Sequence, residues 1–595
     1  MNRTIFISTL LVIAVCTAVS QDLPTDVSNL FSGSGVCAEC HQPGSPNPDA
    51  LLGPAGEDVS PVTLWRSTIM ANSARDPFWK AKVSAEIDAF PNLTQIIEDK
   101  CTTCHAPLGR TEAHFLGDEL YTLAQMQTDP LALDGVSCTL CHQIQPENLG
   151  QEASFSGHYQ IEDTHVIFGP YPNPLQNPMI MASGYTPLFG EHTRTSELCG
   201  TCHTLFTPYA DSTGTVLGEA PEQTPYLEWL NSEFPEDEIE CQTCHMPQID
   251  NPVTISNRPP FLGDRTPFAK HHFVGGNDYL LKILRQFGDE LGTTSSEAFF
   301  DSTLARTYQN LNEAAEISLE SQWSSDSALQ IVITVQNNTG HKFPTAYPSR
   351  RAWLQVLVET ESDTLFHSGS WSSETGQIDG LDWPYEGHHS IIESQDQVQI
   401  YENVPVDVYG QVTFTLLMIS DYIKDNRLPP RGFSTTGPHY EHTAISGNAW
   451  EDINFNRDDA DLEGTGADIV VYRIDGLSPE SQYTLRARLL YQSITPEFVA
   501  DLAEHDTPEV AEFLNFYYQV PNTPVVIDSV LVQSDPFEPC LPGDNNGDQV
   551  LDVLDVVLLV NCVLGAAGCG CGDLNSDQTL DILDIVILVS LILEE

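Results

Sequence analysis

Ten of the fifteen cysteines in this 595-residue chain fall into five pentapeptides of one form. They are Cys37-Ala-Glu-Cys40-His41, Cys101-Thr-Thr-Cys104-His105, Cys138-Thr-Leu-Cys141-His142, Cys199-Gly-Thr-Cys202-His203 and Cys241-Gln-Thr-Cys244-His245. Each has the spacing of a c-type haem attachment site. Two thiols three residues apart can form thioethers to the two vinyl groups of one porphyrin, and the adjoining imidazole can reach the iron as an axial ligand. Cysteine pairs with a histidine also suit zinc, but five repeats with no stray cysteine between them favour haem. Disulfides within each pair would leave the adjoining histidine unexplained. Five covalently bound haem c groups are therefore the expected cofactors, and they would fill much of the interior that side chains otherwise occupy.

The chain has eighteen histidines, of which the motifs use five. Low-spin electron-transfer haems take a second axial ligand such as His or Met. His114, His158, His165, His192, His271, His272 and His341 all lie in polar or turn-rich sequence within or just beyond the motif region. As a set they could complete five bis-His irons, an arrangement that favours low potential and leaves no open position for a substrate.

Further phrases carry a resemblance. They include Ser73-Ala-Arg-Asp-Pro77, Leu133-Asp-Gly-Val-Ser137, Tyr226-Leu-Glu-Trp-Leu-Asn-Ser232 and Met246-Pro247 after the fifth motif. Beyond them come His271-His-Phe-Val-Gly-Gly-Asn277, Thr339-Gly-His-Lys-Phe-Pro-Thr345 and Ile423-Lys-Asp-Asn-Arg-Leu-Pro429. Over roughly residues 60 to 530 the chain resembles the multihaem cytochromes related to cytochrome c-554 and hydroxylamine oxidoreductase. The resemblance implies distal ligands at His192, His271 and His341, with His158 and His114 as further candidates and His272 as a substitute for His271. Gly340 and Pro344 can fix a tight turn that presents His341 without helical support. Two departures matter. No Cys-x-x-Cys-Lys motif occurs, so the lysine-ligated haem of pentahaem nitrite reductases is not expected, and hydroxylamine oxidoreductase has more haem sites than the five found here.

Residues 21–319 are dense in Pro, Gly and short helical fragments, about sixty residues per expected haem. Periodicity predicts a helix over 303–319, with Leu304, Tyr308, Leu311, Ala315 and Ile317 on one side. From about Glu320 the pattern turns to β-branched alternation, in 329–335, 353–358, 412–418, 469–474 and 483–490. Strands parted by turns over this length predict a β-sandwich.

The last sixty residues contain a duplication. Asp544, Asn546, Asp548, Val550, Asp552 and Asp555 occupy positions 1, 3, 5, 7, 9 and 12 of a twelve-residue loop, and Asp573, Asn575, Asp577, Thr579, Asp581 and Asp584 repeat them. Side-chain oxygens at those spacings, with the position-7 carbonyls, converge on calcium, so two Ca²⁺ ions are expected. The segment resembles a type I dockerin, departing from it with Gln549 and Gln578 where glycine is usual. The resemblance implies a cohesin-type partner that would meet Val553-Leu554 and Ile582-Leu583. Cys540, Cys562, Cys569 and Cys571 flank the loops and are expected to form two disulfides, with three connectivities open.

The expected architecture is multidomain: a signal peptide over 1–20, a mainly α-helical and irregular haem-packed domain over 21–319, a β-sandwich over 320–534, and a small α-helical calcium-loop module over 535–595. The leader reading rests on Arg3, the apolar run from Ile5 to Val15, and Ala18-Val19-Ser20 before Gln21. Val15 is too bulky for a lipobox before Cys16. Export across the inner membrane to a periplasmic or extracellular, cell-surface location follows, as a soluble protein with no membrane span in the mature chain. The formal charge of −60 excludes nucleic acid and anionic membranes as partners. The expected partners are redox proteins, a cohesin-type domain, and further copies of the chain in self-assembly. Electron relay is the favoured function. The alternative is an oxidoreductase with one open-site haem acting on a small nitrogen or sulfur compound.

Overall fold

The computed structural model describes residues 22–594, apart from 325–326, 382–384, 480, 536–540, 547–549, 565–570, 576 and 578. The leader over 1–20, Cys540, Cys569, Asp548, Gln549 and Gln578 thus lie outside the described residues.

Each attachment motif sits in or at the end of a short helix. These are α1 (Ser34–His41), then α2 (Pro77–Ala89) without a motif, α3 (Thr94–His105), α4 (Cys138–Cys141), α5 (Ser196–Gly200), α6 (Pro225–Leu230) without a motif, and α7 (Cys241–His245). The longer α2 starts where Asp76 accepts hydrogen bonds from the N–H groups of Phe78 (2.8 Å) and Trp79 (3.1 Å), with Pro77 at the first helical position. Burial pushes the Asp76 carboxyl up to about 6, against the pull of those two N–H groups.

Two further helices, α8 (Asp278–Gln286) and α9 (Glu297–Asn312), follow the last motif. The helix expected over 303–319 ends at Asn312, and residues 315–319 already belong to a strand. Ala315, Ile317 and Leu319 are buried alternately. A period of two satisfies these three residues where the helical reading had counted two of them as a face.

Beyond residue 312 the strands run in chain order as β1 (Ala315–Trp323), β2 (Ala328–Asn337), β3 (Arg351–Glu359), β4 (Thr364–Ser368), β5 (Ile391–Ile392), β6 (Ile400–Tyr401), β7 (Asn403–Val406), β8 (Asp421–Asp425), β9 (Ala467–Asp475), β10 (Thr484–Gln492) and β11 (Val525–Gln533). One sheet has the order β4-β3-β10-β11, with β6 also on β3, and a second has β5-β9-β2-β1. In β2, Leu329, Ile331, Ile333 and Val335 face inward with at most 1% exposure, the alternation of a sheet with one covered face. Residues 412–418, expected as a strand, instead end in a 3-10 turn over Leu416–Met418. The Glu86 carboxylate accepts the N–H groups of Leu416 (2.7 Å) and Leu417 (3.1 Å), which takes these donors out of any ladder.

The described residues up to 320, with those of 332–472 and 485–532, form one compact unit. One apolar core in it joins Phe78, Ala81 and Ala85 of α2 to Tyr279, Leu280 and Ile283 of α8, to Phe300 of α9, and to Phe498, Phe513 and Phe516 near its C-terminal end. Phe513 and Phe516 belong to α10 (Pro508–Tyr517).

The other unit comprises the described residues of 321–331, 473–484 and 533–594. Within it α11 (Val553–Val563) and α12 (Ile582–Glu594) pack together, each with one fully buried leucine, Leu559 and Leu588. No helix among the described residues is long and apolar enough to cross a membrane.

Candidate haem sites

All ten motif cysteines are free thiols. The Cys37 and Cys138 thiols lie close enough to interact, as do those of Cys104 and Cys202 and of Cys199 and Cys241. Cys141 lies within electrostatic reach of both Cys199 and Cys202. The five segments are therefore spatial neighbours: the first meets the third, the third approaches the fourth, and the fourth touches the second and fifth.

Hydrogen bonding sorts the imidazoles. Nδ1 of His41 bonds the Ile255 carbonyl (3.0 Å), Nδ1 of His105 that of Ser73 (3.3 Å), Nδ1 of His142 that of Phe168 (2.6 Å) and Nδ1 of His245 that of Val274 (2.7 Å). A carbonyl can only accept, so these bonds place the ring proton on Nδ1 and leave Nε2 with a bare lone pair, the state of a metal-ligating histidine. Burial pushes His105 and His203 down to about 4, keeping both neutral. The indole of Trp79 lies flat on His105, with ring centres 4.4 Å apart and 3° between planes.

A second imidazole faces two of the motif histidines among the described residues. The His271 ring lies 6.4 Å from His142 and the His341 ring 6.4 Å from His245, tilted by 26° and 20°. Both facing rings also use Nδ1 on backbone carbonyls, His271 on Ala269 (3.2 Å) and His341 on Lys342 (2.9 Å). Two metal–nitrogen bonds of about 2 Å each, plus half a ring on either side, account for such a spacing.

His341 is held from several directions. Its carbonyl accepts from Asn337 Nδ2 and Thr339 Oγ1, both at 2.8 Å. At Gly340 a Cβ would lie 2.9 Å from Phe234 and 3.1 Å from Trp229, so the turn approaches α6 more closely than a side chain allows. Glu228 of α6 accepts the Lys342 N–H (3.0 Å) and the Thr345 hydroxyl (2.5 Å) and pairs with Arg427 (3.0 Å). Arg427 and Lys342 both bind Asp425, at 2.7 and 2.9 Å. All four charged side chains are at least nine-tenths buried, and Arg427 and Lys342 hold Asp425 below the usual carboxylate range against the opposing effect of burial.

The other sequence candidates sit differently. His114 binds Asp99 through Nε2 (2.7 Å), and Asp99 also pairs with Arg110 (2.9 Å). His192 lies near His142 but bonds the Ile144 carbonyl through Nε2 (3.0 Å), and His165 likewise bonds that of Asn29 (2.7 Å). His158 is exposed beside the segment that covers Cys104. His272 turns toward Lys270 and Arg306, and burial with those two cations pushes it down to about 3.

His439 and His442 were not among the histidines singled out from the sequence. Their rings lie 6.4 Å apart, and His442 meets Phe206 edge-on at 4.8 Å, just past the fourth motif. The His-x-x-His spacing was the available signal. His388, Asp452 and Asp468 form another buried cluster, with donor atoms within 4.8 Å of one another. Gln399 (2.8 Å) and Asn426 (3.0 Å) both donate to Nδ1 of His388, which assigns the ring proton to Nε2, aimed at Asp452 (3.0 Å). A metal on Nε2 would leave Nδ1–H against two donors, so this is a polar core network.

In the C-terminal module the two loops match bond for bond. Asp555 accepts from Asn545 N (2.8 Å), Asn546 N (3.2 Å) and Asp552 N (2.9 Å), while Asp584 accepts from Leu574 N (2.9 Å), Asn575 N (3.3 Å) and Asp581 N (2.9 Å). Asp544, Asp555 and Asp584 are buried. Asp552 and Asp581 cap α11 and α12 by accepting from Leu554 N and Leu583 N, both at 2.7 Å. Asn546, Val550, Asp573, Asn575, Asp577 and Thr579 complete the described part of the loops. Cys562 and Cys571 are disulfide-bonded.

Five pairs of free thiols beside imidazoles, four of them with bare Nε2 atoms, are the donor set that c-type haem requires, and the residues present fit that group. No family model matches the chain, and no curated protein matches it. Among solved structures it is similar to a penta-heme cytochrome c552 from Thermochromatium tepidum, at 15% identity and a TM-score of 0.46, over 85% of this chain and 99% of that one.

Proposed function

We propose that the chain is an extracytoplasmic pentahaem cytochrome c that relays electrons, tethered by its C-terminal calcium-loop module. The observation that carries the reading is the facing of His271 on His142 and His341 on His245 at 6.4 Å, every Nδ1 spent on a backbone carbonyl. Haem, when bound, supplies an iron that gains and loses one electron. The cysteines would fix it covalently, the carbonyls would hold each ring in the ligating tautomer, and the paired histidines would close both axial positions to substrates. The neighbouring thiols of different segments favour conduction, because they bring the attachment points together.

The tether reading rests on the repeated loops and on what surrounds them. Val553 and Ile582 are both 68% exposed, and Leu554, Leu583, Val557 and Val586 are exposed with them. Apolar side chains repeated on two helices suit a partner surface of cohesin type.

A pyridine haemochrome assay on the purified protein is expected to give five haems per chain, with low-spin signals in electron paramagnetic resonance and little carbon monoxide binding after reduction. A protein that takes no covalent haem overturns the reading. A strongly carbon monoxide-binding, high-spin majority would replace relay by catalysis at an open site.

A further inference from the structure

We propose that Trp79 is a positioning residue for the haem at the second attachment segment: with Ser73 it holds the His105 ring in one orientation, and its indole face biases that haem toward the oxidised state. This rests on the haem reading above.

The phrase Ser73-Ala-Arg-Asp-Pro77 brings both residues to one imidazole. Ser73 and His105 are bonded in both directions: the Ser73 hydroxyl donates to the His105 carbonyl (2.8 Å), and Nδ1 of His105 bonds the Ser73 carbonyl (3.3 Å). Ser73 opens a 3-10 turn that ends at Arg75, whose guanidinium donates to the Leu133 carbonyl. Asp76 then caps α2 through the N–H groups of Phe78 and Trp79, so Trp79 lies in the first helical turn. Seven residues of chain thus set a carbonyl on one edge of His105 and an indole on its face. Ring centres 4.4 Å apart and planes 3° from parallel leave the imidazole no room to turn about a bond from Nε2 to a metal without driving into the indole. The indole is itself held, being only 8% exposed in a core with Val83, Phe90, Ile97 and Tyr121.

His105 differs in this from its counterparts. Among the described residues no Phe, Tyr or Trp ring stacks on another motif histidine, and His142 and His245 instead meet a second imidazole at 6.4 Å. The face of an aromatic ring is electronegative and attracts positive charge. An axial imidazole shares the positive charge of ferric iron and loses part of it on reduction. The indole face therefore stabilises the oxidised form more than the reduced one.

The test is spectropotentiometry and electron paramagnetic resonance of the full-length protein carrying Trp79→Leu, with haem counted by the haemochrome assay. The variant should raise the midpoint of one haem by about a threefold change in its reduction equilibrium, about 28 mV on the scale of about 59 mV per tenfold for one electron. One low-spin signal should move with it, because the orientation of the axial ring sets its g values, while the other four signals and the count of five stay as they were. Trp79→Phe, which keeps an aromatic face, should restore most of the wild-type midpoint. Unchanged midpoints and signals in Trp79→Leu overturn the proposal and leave Trp79 a packing residue. A lowered midpoint overturns it too, since water admitted beside the ring would then outweigh the indole, and so does the loss of one haem, which would assign Trp79 to attachment. If Trp79→Leu does not accumulate, Trp79→Phe is read alone: a smaller rise in one haem supports the proposal and no change overturns it. A wild type lacking haem fails the functional reading instead, and the count tells the two apart.

Discussion

At the scale of single residues, the ring nitrogen that binds the backbone separates one histidine from another. His271 and His341 spend Nδ1 and keep Nε2 bare, while His114 and His192 spend Nε2. Replacing His341 by Ala is expected to turn one low-spin haem high-spin with all five still attached, read by electron paramagnetic resonance beside the haemochrome count. Glu228→Gln should act on the same haem while also destabilising the fold by about 3 kcal/mol, because it leaves Arg427 buried with one acid fewer. Chemical denaturation checks the second effect. The motif cysteines and histidines were plain from spacing alone, since thioether chemistry needs that order of residues. His271 and His341 were named, together with His192, only through the resemblance and not from any local pattern. Which of them turns Nε2 toward a motif depends on carbonyls at Ala269 and Lys342, and no local pattern encodes a carbonyl's direction. The quartet of Glu228, Lys342, Asp425 and Arg427 was invisible for a related reason, its members coming from three separate stretches of chain.

At the scale of elements, local pattern served well where one face is buried and failed where side chains capture the backbone. The alternation of β2 shows in its letters. The loss of a strand over 412–418 does not, because it is decided by Glu86, more than three hundred residues earlier. The two acidic C-terminal loops repeat three of each other's backbone bonds. Asp584→Ala removes the acceptor for three N–H groups and should lower the stability of the C-terminal module by a few kcal/mol, about 1 for each lost bond. Chelation of calcium should melt the same module in far-ultraviolet circular dichroism while the Soret band stays constant. A Soret change on chelation would contradict the independence of the module.

For the whole molecule, charge sets the response to pH. Burial pushes Asp76, Asp134 and Asp468 up to about 6, so the folded chain holds protons that the unfolded chain gives up near pH 4. Their contribution is largest below the unfolded value and is lost as pH rises through 6. Asp99 and Asp425 are held low by their cationic partners, against burial, and act in the opposite sense. Their contribution is lost as pH falls below the unfolded value. The denaturation midpoint is therefore expected to rise from about pH 7 to about pH 5 and to fall again below about pH 4. Asp468→Asn should flatten the first limb, as a pH series of urea titrations would show.

The facing of His341 on His245 has one more consequence, and it concerns the order of manufacture. All five attachment motifs end by residue 245, while His341 and its buried supports at Asp425 and Arg427 leave the ribosome much later. Covalent loading of the fifth motif can thus precede the arrival of its second imidazole. Arrival of the chain beyond Arg427 in the compartment where haem is attached would be the event that retires the iron of the fifth motif from chemistry and commits it to conduction.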